Sequence, residues 1–270
     1  QQSRLRCGDL RFRTGPFCFR LRSDLVEFYP LLRQMYADYF LPADHFADFH
    51  ISLLGRTHWR RPWQPQVQFR LDDSGPFEPF PRDTALPFLE WSLNWCVATR
   101  AHHYLLLHAG VVARDNVALI LPAWPGSGKS TLSAALCQRG WRLLSDEFGL
   151  VRPKDGLLVP FPRLVALKNE SIAVIRAFAP NAVLGPEYPK TRKGTVCHLR
   201  PPTDSIVRDQ ETAIPRWIVF PQFKAGAVMS LYPMPRTEAF ITLSGHSFNY
   251  DLIGLRGFET LAQLIDSCEC

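Results

Sequence analysis

Ala123-Trp124-Pro125-Gly126-Ser127-Gly128-Lys129-Ser130 has the residue types and spacing of a phosphate cradle, the Walker A pattern with alanine in place of its first glycine. Small residues at 126 and 128, with Ser127 between them, let backbone N–H groups turn inward and close on phosphate oxygens. A helix beginning near Lys129 would aim its positive end at the same anion. Lys129 is then expected to bridge the β- and γ-phosphates of ATP, and Ser130 to hold Mg²⁺ through its hydroxyl. Thr131 is expected to touch the α-phosphate. An apolar run at 117–123 reads as a strand entering the loop, and 130–140 reads as an amphipathic helix leaving it, with Leu132, Ala135 and Leu136 on one face and Gly140 as its stop. That context is what the motif requires.

Asp146 and Glu147 follow one short helix later. Two neighbouring carboxylates beside a γ-phosphate can divide the work, one holding metal while the other takes a proton from an attacking hydroxyl. Adjacent residues of a strand face opposite ways, so both reach one site only where the strand ends; Glu147-Phe148-Gly149 reads as that turn. His108 stands in the apolar run 105–110. A lone histidine in such a strand is usually a core residue, and His103 is read that way.

These groups need a scaffold, and the chain offers α and β segments interleaved, which places it in the α/β class. Residues 104–123 read as a hairpin turning at Arg114-Asp115-Asn116 and feeding the loop. Before it, 17–22, 49–55 and 66–72 read as strands. Residues 24–40 read as a helix capped by Ser23 or Asp24 and bent at Pro30, and 84–103 read as a second helix after a Pro/Gly-rich linker at 73–83. Beyond the loop, 156–168 and 214–223 read as strands, 171–178 as a helix, and 185–202 as a basic loop passing into a strand. The expected division is a small α/β domain over 1–100, a candidate acceptor-docking unit, and a phosphate-loop kinase domain over 101–270.

Residues 104–151 resemble the catalytic core of the HPr kinase/phosphorylase family, which has a histidine-glycine strand, a hairpin into Walker A, one helix ending in glycine and an acidic pair soon after. The likeness continues loosely through 161–172 and 190–202, which are similar to segments of the HPr kinase-related kinases. The first hundred residues do not resemble the sensor domain of HPr kinase proper; they look like the small α/β domain that accompanies the related kinases. The resemblance implies an α/β fold with a P-loop nucleotide-binding core of HPr kinase type and a smaller N-terminal α/β domain. It implies that Gly126, Ser127, Gly128, Lys129 and Ser130 bind ATP and Mg²⁺, and that Asp146 is the general base for a serine hydroxyl. Glu147 stands where the family commonly has a second aspartate, and its longer arm can still serve Mg²⁺. His108 matches the family's active-site histidine in its distance from the loop. Downstream, Lys168, Lys190, Arg192 and Lys193 are candidates for neutralising transition-state charge or contacting the acceptor, with Gly194 allowing close backbone approach.

The expected activity is therefore ATP-dependent phosphorylation of a hydroxyl, a serine of a peptide or protein acceptor. The dissimilar N-terminal domain argues against HPr itself, and related kinases act on natural-product precursor peptides. The alternatives are a small-molecule hydroxyl kinase, a carboxykinase-like phosphoryl-transfer enzyme, and a non-catalytic nucleotide-gated binding module. The resemblance also suggests a homo-oligomer.

Composition narrows the remaining classes. With 46% hydrophobic residues in 270, the chain can bury a sizeable core. Its net charge of +6 is scattered rather than gathered into the stripe of a nucleic-acid reader. No stretch reaches membrane-spanning length, and the basic start lacks the apolar run of a signal peptide. The cysteines lack paired CxxC spacing, so neither a zinc site nor a disulfide framework is expected; Cys268 and Cys270 read as frayed terminal thiols. A cytoplasmic protein is the resulting expectation.

Overall fold

In the computed structural model, which describes residues 9–42, 44–56 and 63–270 apart from the Lys190 side chain, the chain is mixed α/β. β1 (Asp9–Thr14) and β2 (Phe17–Ser23) bury alternate residues, as a half-buried sheet requires, and pair about Gly15. β3 (Phe49–Arg56) joins β2 in parallel, and β4 (Gln66–Leu71) and β5 (Phe80–Pro81) complete a five-stranded antiparallel-parallel mix. Phe12, Phe19, Ile51, Leu53 and Phe69 share a core with α1 (Tyr29–Met35) and α2 (Ala85–Arg100).

Several local expectations change here. β1 lies in a segment that reads only as a basic terminus, and β5 lies within the expected linker. The segment after β2 is a short 3₁₀ turn, Val26–Phe28, leading into α1. Pro30 falls in the first turn of α1, where its missing N–H costs nothing, so it starts the helix rather than bending it. Ser23 closes β2, its Oγ accepting the Leu25 N–H (3.2 Å), and Asp24 accepts the Gly55 N–H (2.7 Å); neither caps α1. α2 stops at Arg100, and His103 is exposed rather than in the core.

β6 (Leu105–Arg114) and β7 (Val117–Pro122) form the expected hairpin, turning at Asp115 and Asn116, both at positive φ. α3 (Lys129–Cys137), β8 (Arg142–Ser145), β9 (Phe148–Val151) and β10 (Leu158–Val159) follow. With β14 (Ile214–Ile218) they make a six-stranded sheet ordered β10-β9-β6-β7-β14, in which β8 also pairs with β6 and β14 runs parallel to β7. β11 (Val165–Lys168), β12 (Leu184–Thr191) and β13 (Gly194–Leu199) form an antiparallel sheet beside α4 (Glu170–Phe178).

The expected strand at 156–168 is thus two short strands, because Pro160 and Pro162 cannot donate to a ladder. Of the basic loop and strand expected over 185–202, the strand is β13, while the loop is largely a strand itself, β12, so the segment is mostly a hairpin. The expected strand at 214–223 stops at Ile218 ahead of Pro221, and Ile214 is exposed. α3 ends at Cys137, three residues before Gly140, and Leu132 is half exposed; Ser133, Ala134 and Cys137 form its inner face. After α5 (Thr203–Val207), the chain closes with α6 (Arg236–Gly245), α7 (Tyr250–Ile253) and α8 (Leu255–Ser267). Cys268 is buried, and burial pushes its thiol up to about 12; the Cys270 carbonyl accepts the Met234 N–H (2.9 Å), so this end is docked rather than frayed. Among the described residues the cysteines are free, and no helix is long and apolar enough to cross a membrane.

The first sheet's core continues past Arg100 into Leu106, Phe148, Leu150 and Phe161. A buried ion pair, Arg163 with Glu90, spans the same junction, and Arg163 also donates to Asn94 Oδ1 (3.0 Å). Burial pushes the Glu90 carboxyl up, and Arg163 opposes that shift. Arg163→Met leaves Glu90 buried without its partner and is expected to cost about 3–5 kcal/mol in urea unfolding. Adding Glu90→Leu should recover most of that loss. An Arg163→Met protein as stable as the parent would contradict this account.

Candidate active site

The β6–β7 hairpin carries the chain from Pro122 into the loop, and α3 leaves it at Lys129. Gly126 (φ +91°) and Gly128 (φ +83°) take left-handed conformations that other residues adopt only with strain. Open space surrounds the position a side chain would take at Gly126, so the loop's inner rim is bare backbone. Ser127 turns into the loop, giving both its N–H (3.2 Å) and its hydroxyl (2.7 Å) to the Trp124 carbonyl. Ser130 and Thr131 sit half-buried in the first turn of α3.

Lys129 is 8% exposed, and its Nζ has no hydrogen-bond partner. The helix can press this close to the sheet because residue 110 is glycine. A Cβ there would stand 2.4 Å from Ser133 Oγ and 3.4 Å from Lys129 Cγ. A glycine inside an apolar strand is the sequence signal that marks such close approach.

The carboxylates are placed by strand pairing. β6 pairs with β8 at Val111↔Ser145 and with β9 at His108↔Phe148. Asp146 and Glu147 occupy the break between those strands, opposite Ala109 and Gly110. The strand ends one residue earlier than the expected turn, and Phe148–Val151 is strand again; Ser145 Oγ closes the break by accepting the Phe148 N–H (2.9 Å).

Their environments pull the two acids apart. Asp146 is 6% exposed with Oδ1 unpartnered, and burial together with the neighbouring Glu147 charge raises its pKa to about 6, against the lowering effects of Lys129, the Ser130 hydroxyl and Lys168. Glu147 is half exposed. Desolvation raises it, but the His108 ring at 3.4 Å, Lys129 Nζ at 3.9 Å and Lys168 outweigh that and hold it at about 2. One acid is poised near neutrality while its neighbour stays ionised, the arrangement that separates a base from a charge holder.

His108 is therefore no core histidine; its Nε2 faces Glu147. Behind it lies a group the sequence did not reveal. The His108 N–H donates to the His246 carbonyl (2.6 Å), and the Phe248 ring packs 5.4 Å from the His108 ring. His246 is buried beneath Trp124, ring centroids 4.4 Å apart, and burial lowers its pKa. No local motif near 246 marks this docking, since the segment lies far along the chain.

Lys168, at the end of β11, has its pKa lowered by burial and by Lys193, and its charge reaches both Asp146 and Glu147. Arg192 and Lys193 are exposed at the β12–β13 turn; the Lys190 side chain lies outside the described residues. Gly194 (φ +84°) passes so close to Asn169 that a Cβ would meet its Oδ1 at 2.2 Å, which seats this turn against the start of α4.

A nucleotide with Mg²⁺ fits these groups. A phosphate would supply the hydrogen-bond acceptor that the buried Lys129 Nζ lacks, and the Ser130 hydroxyl and Glu147 carboxylate are oxygens of the kind that would hold Mg²⁺. Among the described residues no three His, Cys, Asp or Glu side chains are placed to hold a metal by themselves. The sequence matches no protein-family model and no curated protein.

Proposed function

We propose that the protein is an ATP-dependent kinase that phosphorylates a hydroxyl, a serine of a peptide or protein acceptor, on a P-loop core of HPr kinase type. The observation that carries this reading is a buried Lys129 ammonium that makes no hydrogen bond, beside a buried Asp146 carboxyl poised near pH 6, at the positive end of α3. Simple nucleotide holding requires no such base.

In the proposed reaction, Asp146 takes the acceptor hydroxyl's proton. The hydroxyl oxygen bonds to the γ-phosphorus, the bond to the bridging oxygen breaks, and ADP leaves. Lys129 meets the charge on the β–γ bridge, and Lys168 and the α3 amides stabilise the transferring group. Ser130 and Glu147 would hold Mg²⁺, which when bound neutralises phosphate charge. His108 fixes the Glu147 carboxylate. The exposed Arg192 and Lys193 would contact the acceptor. Residues 1–100 would dock it, and a natural-product precursor peptide is the acceptor class favoured by the family resemblance of residues 104–151.

The test is transfer of label from γ-labelled ATP with Mg²⁺ to serine-containing peptides. Acid-stable phosphoserine is expected. ATP binding without transfer to any hydroxyl would leave only the nucleotide-gated module.

A further inference from the structure

β7 and β14 run parallel, so their C-terminal ends deliver two loops to one edge of the sheet, the phosphate loop and the segment from Val219 onward. Phe223 stands where these loops touch. Its N–H donates to the Ser127 carbonyl (3.2 Å), and its Cβ lies 3.1 Å from where a side chain at Gly128 would begin. The residue is nevertheless 71% exposed. An aromatic ring is thus anchored to the cradle through its backbone while its faces stay open to solvent.

The topology says which part of a nucleotide would meet it. Asp146 and Glu147 lie across β6, on one flank of β7, and β14 lies on the other. With the terminal phosphate beside the carboxylates, the nucleoside must leave over the β14 flank. Ligands at parallel strand ends are gripped in this way by loops of neighbouring strands.

We propose that Phe223 is the base-binding residue of the nucleotide site, stacking on the purine ring of ATP; this rests on the nucleotide-binding reading above. Stacking recognises any base by its π-face and adds affinity without touching the phosphates.

The experiment compares Mg-ATP with Mg-tripolyphosphate, which keeps the phosphate chain and lacks the base, by calorimetry on the full chain. Phe223→Ala should weaken ATP about tenfold and leave tripolyphosphate within about twofold. Phe223→Tyr, which keeps the ring, should bind ATP like the parent. Unchanged ATP affinity in Phe223→Ala, or equal weakening of both ligands, overturns the proposal, the latter by making Phe223 a prop for the loop. A parent that binds neither ligand takes the nucleotide reading down as well; one that binds both while Phe223→Ala spares ATP removes this inference alone.

Discussion

Lys129→Ala is expected to reduce phosphoryl transfer on the order of 10³-fold. The ammonium is buried, makes no hydrogen bond and lies 3.9 Å from Glu147, so its charge is held beside the acidic pair. The variant should bind ATP more weakly by calorimetry while losing transfer. Both carboxyls also lose a neighbouring positive charge that lowers their pKa, so each should titrate higher. Transfer within about tenfold of the parent would show that Lys129 does not meet the reacting phosphate.

Asp146→Asn is expected to lower transfer about 10²–10⁴-fold with ATP affinity changed little, because it removes the proton acceptor and keeps the shape. In the parent, kcat/KM should rise with pH and level off above about 6, since the ionised carboxyl is the active form in the proposed reaction. Stability should run the other way. The folded value of about 6 lies above the ordinary 3.8, so the folded chain holds the extra proton between those pH values. Folding free energy should then fall as pH climbs through that window, and the ionised group costs about 3 kcal/mol at pH 7. Asparagine escapes that cost, so the inactive variant should melt several degrees higher. A variant that transfers phosphate normally would remove Asp146 from the chemistry. One that melts lower would mean that the ionised carboxylate contributes favourably where it sits.

Much of this site is local in origin. The turn at Asp115-Asn116, the two left-handed glycines, the helix start at Lys129 and the short path to Asp146 all lie between residues 115 and 146, and each has its own residue signal. Boundaries were less legible wherever proline intervened, as at Pro30, Pro160 and Pro221, because one missing N–H can start a helix or stop a strand according to its neighbours.

Sequence alone determined which groups are present and that a strand, loop, helix and acidic pair come in that order. Tertiary structure decided which groups meet. The opposite pKa shifts of Asp146 and Glu147 arise because Asp146 is buried while Glu147, half exposed, faces the His108 ring, with Lys129 and Lys168 acting on both, a difference that two carboxyls at adjacent positions cannot encode. Gly110 matters only once α3 lies on β6, and His246 reaches the site through a hydrogen bond and a ring contact made 138 residues beyond His108 in the chain. Desolvation and charge proximity depend on distance in space, and the chain order reports that distance only where contacts are local.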